Sequence, residues 1–412
     1  MAIHAVDKSP YRFVVEALLF LTYAVFGLSW IGVTPLLGAL QAHFHASGAE
    51  LGMVNTAVTL AKVIGPLLTG ILAVRLGLKK SILLGGLFIS IAAIAPFMPN
   101  FPTFLASRFV FGLGGAIVVT LLGPAVMQWF SHDELPIVNA FNNVAVNTGI
   151  SVTLFTTVPL ANALGWRNTL VLYGVLSILL LAAWAVLGRD RQHTTSVTEE
   201  APSVRYADVW RMRETWLIAL AFAGPLALYL AFNTWLPRYY VEAFGMAPAA
   251  ASQYTGFFNL IGIPAAIVAG YLTRRLGLRR PFILGAGVLM GFAAFGMFLF
   301  NQPAVILLAA VLLGISLFAY VAPLFTIPME LRGMTPQHVG LMMGTVYSIA
   351  YLFSSLSPIV VGALHDATGS FVPGFALWAV FSWGLAVGGW LLPETGTSPR
   401  RAEAPKPALS QA

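Results

Sequence analysis

Two basic side chains interrupt long apolar stretches in the first half of the sequence. Lys62 lies near the middle of the stretch 50–74, and Arg108 lies toward one end of the stretch 103–129. A lysine at the centre of a membrane-spanning helix is disfavoured by about 2.5–3.5 kcal/mol, so its ammonium group needs a partner or a water-filled cavity. A cavity that contains fixed cations attracts anions. We predict an anion-binding site with Lys62 as the main contact and Arg108 in support; a structural bond from Arg108 to a neighbouring helix is the alternative.

Acidic residues are absent from the middle of every apolar stretch. Glu16 lies one helical turn from Arg12, near the beginning of the first stretch, which predicts an i,i+4 ion pair close to the membrane surface. The other acidic residues near the stretches lie at their ends: Glu50, Glu242, Glu330 and Asp366. A site with cations and no central acid favours an anion over a cation as its ligand.

A polar strip follows one face of the apolar stretch 137–161. Asn139, Asn143, Asn147 and Ser151 recur at every fourth position, the spacing that places side chains on the same face of a helix. Amide groups in lipid are costly unless they bond across helices or line a wet cavity. The strip therefore predicts either interhelical hydrogen bonds or one wall of the binding site, where Asn143 and Asn147 orient the ligand.

Tyrosine and asparagine residues of the second half are candidates for the opposite wall. Tyr347 and Tyr351 are one helical turn apart and share a face, so their hydroxyl groups can bond an oxyanion and their rings can stack on a flat ligand. Ordinary packing of an amphipathic helix explains any one of these residues equally well. The candidates for this wall are Tyr229, Asn233, Asn259, Tyr320, Tyr347 and Tyr351.

The elements that position these side chains are membrane-spanning helices. The 412-residue chain is 58% hydrophobic and 9% charged, whereas about a quarter of the residues in soluble domains are charged. Backbone groups in lipid must bond within their own segment, so apolar stretches of about 20 residues form helices. Twelve such stretches occur, at 13–38, 50–74, 81–98, 103–129, 137–161, 169–187, 215–236, 250–273, 281–300, 304–328, 338–363 and 371–392. We predict an all-α integral membrane protein with twelve transmembrane helices.

The net charge of +7 is a signal of membrane topology. When the helices are numbered from a cytoplasmic N-terminus, nearly all Lys and Arg residues of the loops fall on one side, and only Arg167 and Arg238 fall on the other. Basic loops stay in the cytoplasm, so both termini are predicted there, in a multi-pass protein of the cell (inner) membrane. Lipid headgroups are the predicted partners of the basic side, and no nucleic-acid partner is predicted.

The sequence contains no pattern typical of an enzyme. It has no cysteine, which excludes thiolate metal sites and cysteine nucleophiles. His43, His45, His132 and His338 fall in or beside loops without a metal-binding spacing, and neither a phosphate-binding loop nor a nucleophile elbow is present. We therefore predict no catalytic residue, no metal and no cofactor.

A segment of eleven residues occurs twice in the chain. The copies are 70–80 (GILAVRLGLKK) and 270–280 (GYLTRRLGLRR); six positions are identical and two exchange Lys for Arg. Each copy lies between two apolar stretches, so the halves of the chain are related as an internal repeat. The defining positions are Gly70, Arg75, Gly77, Lys79 and Lys80 in the first copy and Gly270, Arg275, Gly277, Arg279 and Arg280 in the second.

The repeated segment resembles the signature between helices 2 and 3, and again between helices 8 and 9, of the major facilitator superfamily. That family usually has an Asp directly before the Arg, where this sequence has Val74 and Arg274. The resemblance implies two six-helix halves related as parallel pseudo-repeats, a substrate path between them, and a part for the segment in conformational change. The corresponding domains are 1–188, a cytoplasmic linker 189–214, 215–393 and a cytoplasmic tail 394–412.

Short segments resemble the branch of that family that includes cyanate and nitroimidazole transporters. They are 233–240 (NTWLPRYY) and 262–266 (GIPAA). The resemblance implies a monomeric secondary active or facilitative transporter that moves a small solute, an organic or inorganic anion, by alternating access. Efflux of a neutral or aromatic compound is the alternative. A receptor that binds a ligand without transport is a further alternative, which a long extra cytoplasmic domain would indicate; the tail after Pro393 is short.

The charge distribution predicts that a reporter fused after Ala412 and a reporter inserted near Thr195 both lie in the cytoplasm. Fusions to green fluorescent protein and to alkaline phosphatase measure this, because the first fluoresces in the cytoplasm and the second is active only outside it. Phosphatase activity at either position would contradict the count of twelve helices.

Overall fold

The computed structural model describes residues 9–131, 134–190 and 206–396. Over these ranges the chain forms fifteen α-helices and no strand. The helices are α1 (Tyr11–Ile31), α2 (Leu37–Phe44), α3 (Gly48–Ser90), α4 (Phe101–Met127), α5 (Leu135–Leu164), α6 (Trp166–Leu187), α7 (Tyr206–Trp210), α8 (Arg213–Phe244), α9 (Pro248–Leu276), α10 (Arg280–Leu299), α11 (Pro303–Ala319), α12 (Val321–Glu330), α13 (Pro336–Thr368), α14 (Val372–Ser382) and α15 (Gly384–Leu391). The all-α prediction is confirmed.

Eleven helical segments of the described chain are long and apolar enough to cross a membrane. The part of α3 before Gly77 is a further long helix, which brings the long segments of the described chain to twelve. The first span differs from its predicted limits of 13–38, because α1 continues through a 3-10 turn at Thr34–Leu36 into α2. Pro35 lies in this turn, where its missing N–H group interrupts the regular helix.

Three sequence predictions fall partly outside the described residues. Most of the predicted linker 189–214 and of the predicted tail 394–412 is not described, and the side chain of Asn143 is not described. The described part of the linker contains the short helix α7. The domain boundaries therefore remain predictions.

Glycine residues of α4 bring the helices of the first half close together. A Cβ at Gly112 would lie 2.7 Å from the Val58 carbonyl oxygen of α3. A Cβ at Gly115 would overlap the ring of Phe26 of α1. Without a hydrophobic driving force in lipid, helix association depends on such close packing of small residues. This packing holds α1, α3 and α4 as one unit around Phe26.

The two repeated segments form turns that glycine makes possible. Gly77 has φ 76° and Gly277 has φ 60°, a region of backbone conformation that side chains disfavour. Gly70 and Gly270 differ from these two residues, because a Cβ at either position would meet no atom within 4 Å. The presence of glycine at this position in both copies therefore has a direct conformational cause.

A carboxylate from the end of each half caps the helix that follows each repeated turn. The Asp190 carboxylate accepts a hydrogen bond from the Lys79 N–H at 2.9 Å. The Glu394 carboxylate accepts bonds from the Arg279 and Arg280 N–H groups at 2.9 and 3.0 Å. Anions are stabilised at helix N-termini, where backbone N–H groups are unpaired. These acids reach the repeated turns even though positions 74 and 274 carry no acid.

The two halves, α1–α6 and α8–α15, meet along α3 with α13 and α5 with α9. Asp366 makes the contact nearest one end, where its carboxylate accepts bonds from the N–H groups of Gly48 and Ala49 at 3.0 and 2.9 Å. We call this end of the bundle the Gly48 end. The hydrogen bonds between the halves, within the described residues, are Gly48–Asp366, Ala49–Asp366, Asn55–Thr234, Thr56–Ser355, Leu154–Ser252 and Asn147–Tyr229.

The opposite end of the bundle, which carries the repeated turns, is less closely joined. We call it the basic end. None of the hydrogen bonds between the halves in the described chain lies closer to this end than the Asn147–Tyr229 contact at mid-depth. A Cβ at Gly340 or Gly344 of α13 would meet no atom within 4 Å. The bundle is therefore sealed at the Gly48 end and open at the basic end.

Asp366→Ala is expected to destabilise the sealed state. It removes two hydrogen bonds to a charged group, a loss of about 1.5–3 kcal/mol, so the state open at the Gly48 end should gain about tenfold or more in population. Because the chain has no cysteine, Ser355→Cys supplies a single thiol within the contact between α3 and α13. We expect faster reaction of this thiol with a charged maleimide when Asp366 is replaced.

Asn162→Ala is the matched control for this substitution. Asn162 lies three residues before Gly165 at the end of α5, as Asp366 lies three residues before Gly369 at the end of α13. Both side chains are exposed, but among the described residues Asn162 makes no hydrogen bond to the opposite half. Its replacement should leave the labelling rate unchanged. Equal labelling in the parent and in Asp366→Ala would show that the Asp366 contact does not hold the Gly48 end closed.

Candidate substrate-binding site

Lys62 lies about four helical turns into α3, roughly 20 Å along the helix axis at about 1.5 Å per residue. Its side chain is 6% exposed. The Nζ atom lies 3.9 Å from the ring centroid of Trp30, 5.1 Å from that of Phe26 and 5.7 Å from that of Tyr351. Lys62 is thus at mid-depth, as predicted, and it is surrounded by aromatic rings from α1 and α13.

The Lys62 ammonium group has no acidic partner within the described structure. Neither a hydrogen bond nor an ion pair to Nζ is present among the described residues. A cation over an aromatic face gains about 2 kcal/mol when desolvated. Removing an ion from water still costs several kcal/mol after the protein relaxes. The aromatic rings therefore compensate only part of this cost, and an anion placed beside Nζ would compensate more.

Tyrosine side chains face this region from the second half. The rings of Tyr347 and Tyr351 are stacked, with centroids 6.2 Å apart and an interplanar angle of 22°. Tyr320 lies within electrostatic range of both. No hydrogen bond to any of the three hydroxyl groups is present in the described chain. The structure thus brings these three predicted residues together, with their hydroxyl groups free to bond a ligand.

Tyr23 of α1 belongs to the same cluster and was not among the sequence candidates. It lies within electrostatic range of Tyr351, Tyr229 and Tyr347. Tyr23, Phe26 and Trp30 follow one another at spacings of three and four residues, which places them on one face of α1. This spacing was the available signal, although it is equally typical of a packed helix.

Asn147 and Tyr229 join the two halves at mid-depth. The Tyr229 hydroxyl donates a hydrogen bond to Asn147 Oδ1 at 3.0 Å. In the second half, Asn259 Nδ2 donates to Asn233 Oδ1 at 2.9 Å, and both residues are fully buried. Asn147 and Tyr229 are therefore placed between the halves, whereas Asn233 and Asn259 bond to each other within one half. The side chain of Asn143 lies outside the described residues.

Arg108 contacts the backbone of α1 near its C-terminus. Its guanidinium group donates to the carbonyl oxygens of Ser29 and Trp30 at 3.2 and 2.7 Å. It is 2% exposed and lies over the ring of Phe111 at 4.8 Å. The last carbonyl groups of a helix lack partners within the helix, and a cation satisfies them well. Arg108 thus positions Trp30, the aromatic neighbour of Lys62, through the backbone.

Glu16 does not form the predicted ion pair with Arg12. Arg12 instead binds both carboxylate oxygens of Glu134, at 3.0 and 2.9 Å. Glu16 is 8% exposed and lies beside the buried amide of Asn142 between α1 and α5. Neither oxygen of Glu16 makes a hydrogen bond of regular geometry in the described chain. The i,i+4 prediction was wrong because a closer partner lies across the fold.

The family model of the Major Facilitator Superfamily matches residues 19–334. The chain belongs to this family. The 2-nitroimidazole transporter of Escherichia coli is 23% identical over 361 residues, which cover 87% of this chain and 88% of that protein. The nitrite extrusion protein of Bacillus subtilis is 24% identical over 360 residues, which cover 84% and 86% of the respective chains. The predicted family is confirmed.

A solved structure shares the fold of this major facilitator protein. A bacterial homologue of the human lysosomal transporter Spinster, in an inward-facing and unoccupied conformation, superposes with a TM-score of 0.76. The match covers 93% of this chain and 96% of that one at 15% identity, so it supports the fold alone. The predicted twelve-helix fold in two halves is confirmed. The protein is a multi-pass membrane transporter of small molecules, and it is not an enzyme.

Arg108→Met is expected to lower stability while retaining most of the side-chain volume. It leaves two buried carbonyl oxygens without a charged donor, which costs about 1–3 kcal/mol. The measurement is the melting temperature of the purified protein in detergent without ligand. The control is Arg75→Met, because Arg75 is exposed and surface substitutions usually change stability by about 0.5 kcal/mol or less. If Arg108→Met is as stable as the parent, the bond to α1 is not structural and a direct ligand contact becomes the better assignment.

Proposed function

We propose that this transporter moves a small anion across the cell (inner) membrane, with Lys62 as the contact for the negative charge. The observation that carries the proposal is the Lys62 ammonium group, buried at mid-depth among aromatic rings with no acid bonded to it in the described chain. An anion compensates the charge of the ammonium group, so it should bind more tightly at this site than a neutral ligand of the same shape.

The position of Lys62 between the halves suits transport. Its ammonium group contacts Trp30 of the first half and Tyr351 of the second. Rocking of one half against the other would expose a ligand held there first to one side of the membrane and then to the other. Arg108 supports the site by positioning Trp30. Asn147 and Tyr229 lie at the same contact between the halves and are proposed to orient the ligand, together with Asn143.

The distribution of basic residues supports an orientation with both termini in the cytoplasm. In this orientation the basic end faces the cytoplasm and the Gly48 end faces outward. The described conformation is then open to the cytoplasm. We propose that the protein functions as a monomer, with the substrate path enclosed by its own two halves.

The names of two relatives support the substrate class. One is called a nitrite extrusion protein, and nitrite is a small anion. The other is called a 2-nitroimidazole transporter, which carries a flat aromatic compound. The second name, together with the stacked rings of Tyr347 and Tyr351, favours a flat neutral compound as the alternative substrate.

Lys62→Ala is expected to weaken the binding of an anionic substrate about tenfold or more, because a desolvated charged contact contributes about 1.5–3 kcal/mol. A panel of nitrite, nitrate, acetate and benzoate, with nitrobenzene and benzamide as uncharged probes, is first screened by melting temperature, since a binder stabilises the folded protein by mass action. Dissociation constants of the compounds that bind are then measured for the parent, Lys62→Ala and Lys62→Arg. Lys62→Arg should retain part of the affinity.

Lys80→Ala is the control, because Lys80 is an exposed lysine of the basic end. It should bind the anion as tightly as the parent. If Lys62→Ala folds normally and binds the anion with unchanged affinity, the anion site is not at Lys62. Binding of the uncharged probes alone, by parent and variant equally, would favour the neutral substrate.

A further inference from the structure

A large cavity lies between α9, α10 and α11, away from the Lys62 site. Its volume is about 630 Å³. Val268, Leu272 and Ile315 line it and are 54%, 36% and 39% exposed, so it opens on the outer surface of the bundle. Ser316 supplies the one hydroxyl group of the lining, and this group donates to the Leu313 carbonyl at 3.0 Å. The cavity is therefore an apolar groove at a depth where the protein faces lipid chains.

Small side chains create the groove. Ala265, Ala269 and Gly285 all line it, and a Cβ at Gly285 would meet no atom within 4 Å. Gly85 occupies the corresponding position of the first half, five residues after Lys80 as Gly285 follows Arg280. A Cβ at Gly85 would lie 3.1 Å from atoms of α4. In the first half α4 thus fills the space beside Gly85, whereas the corresponding space beside Gly285 is open.

Two exposed arginines lie beside the groove. Arg274 and Arg275 follow Leu272 in the last turn of α9, and both are exposed. Neither forms an ion pair or side-chain hydrogen bond within the described chain. The next two arginines are already bound, since Arg279 pairs with Glu330 at 2.8 Å and Arg280 donates to the Gly389 carbonyl.

Two consecutive arginines at this place in the repeat occur in the half that has the groove. The first repeat has Val74 where the second has Arg274. The second half therefore has both differences, the additional charge at position 274 and the open packing at position 285. An exposed cationic pair at the end of an apolar groove is complementary to a molecule with an anionic head and a hydrocarbon chain.

We propose that this groove binds an anionic phospholipid, with an acyl chain between α9, α10 and α11 and the phosphate on Arg274 and Arg275. Hydrocarbon chains gain little by moving from lipid to an apolar protein surface, so the headgroup determines which lipid is retained. Attraction of a basic residue to an anionic lipid surface is worth about 1 kcal/mol, or roughly fivefold in affinity for each arginine. The lipid holds α10 beside α9 where no side chain fills the space. This site is independent of the anion site at Lys62.

Native mass spectrometry of the full-length protein in detergent tests the proposal. Phosphatidylglycerol and phosphatidylcholine with identical acyl chains are titrated separately. The parent should retain phosphatidylglycerol with at least a fivefold lower dissociation constant. Arg274→Ala combined with Arg275→Ala should remove this preference. Gly285→Leu, which fills the groove, should weaken the binding of both lipids. Arg75→Ala, in the first repeat, should bind like the parent.

Equal affinity of the parent for the two lipids would overturn the proposal. An unchanged affinity in Gly285→Leu would overturn the groove as the site. Ala265→Leu fills the same groove from α9 and replaces Gly285→Leu if that variant does not fold. Glycerol phosphate is added as a competitor: displacement of the lipid at equal concentrations would assign the arginines to a free phosphate, and no displacement supports a site for the intact lipid.

Discussion

A positive charge in the middle of a bilayer constrains the rest of this structure. The Lys62 ammonium group is surrounded by Trp30, Phe26 and Tyr351 and meets no acid in the described chain. Aromatic faces stabilise a cation without neutralising it, as a carboxylate would, so they suit the anion contact proposed for Lys62. The bond from Arg108 to the α1 backbone fixes Trp30 beside it. The proposed anion site and the packing of α1 thus depend on the same aromatic cluster.

The membrane spans and the depth of Lys62 were predictable because both follow from short-range patterns. Apolar length determines a span, and position within a span determines depth. Contacts between residues far apart in the chain were not predictable in this way. Arg12 pairs with Glu134 and not with Glu16, which is one helical turn away. Asp366 caps a helix that begins at Gly48. A single sequence does not show which residues far apart in the chain become neighbours, so pairs close in sequence are predicted first. For Arg12 this prediction, the pair with Glu16, was wrong.

The repeat is informative where its copies differ. Gly77 and Gly277 retain the same positive φ, and Asp190 and Glu394 cap equivalent helices, so the turn is retained in both halves. The halves differ at the Gly48 end, where only α13 supplies a carboxylate to the opposite half among the described residues. The features shared by the two halves therefore maintain the architecture of each half. A feature present in only one half, such as the Asp366 contact, indicates a role specific to that half.

The carboxylate caps at Asp190 and Glu394 have a mechanical consequence. Each connects the residues that directly follow the last helix of a half to the beginning of the helical segment after the repeated turn, so each half is joined to itself at the basic end. We expect a half closed in this way to move as a rigid body. The contact of Asn147 with Tyr229 lies between the sealed and open ends, at the position of a fulcrum. Displacement is smallest near a pivot, so the ligand proposed at Lys62 would keep its neighbours from both halves while the two ends of the bundle move.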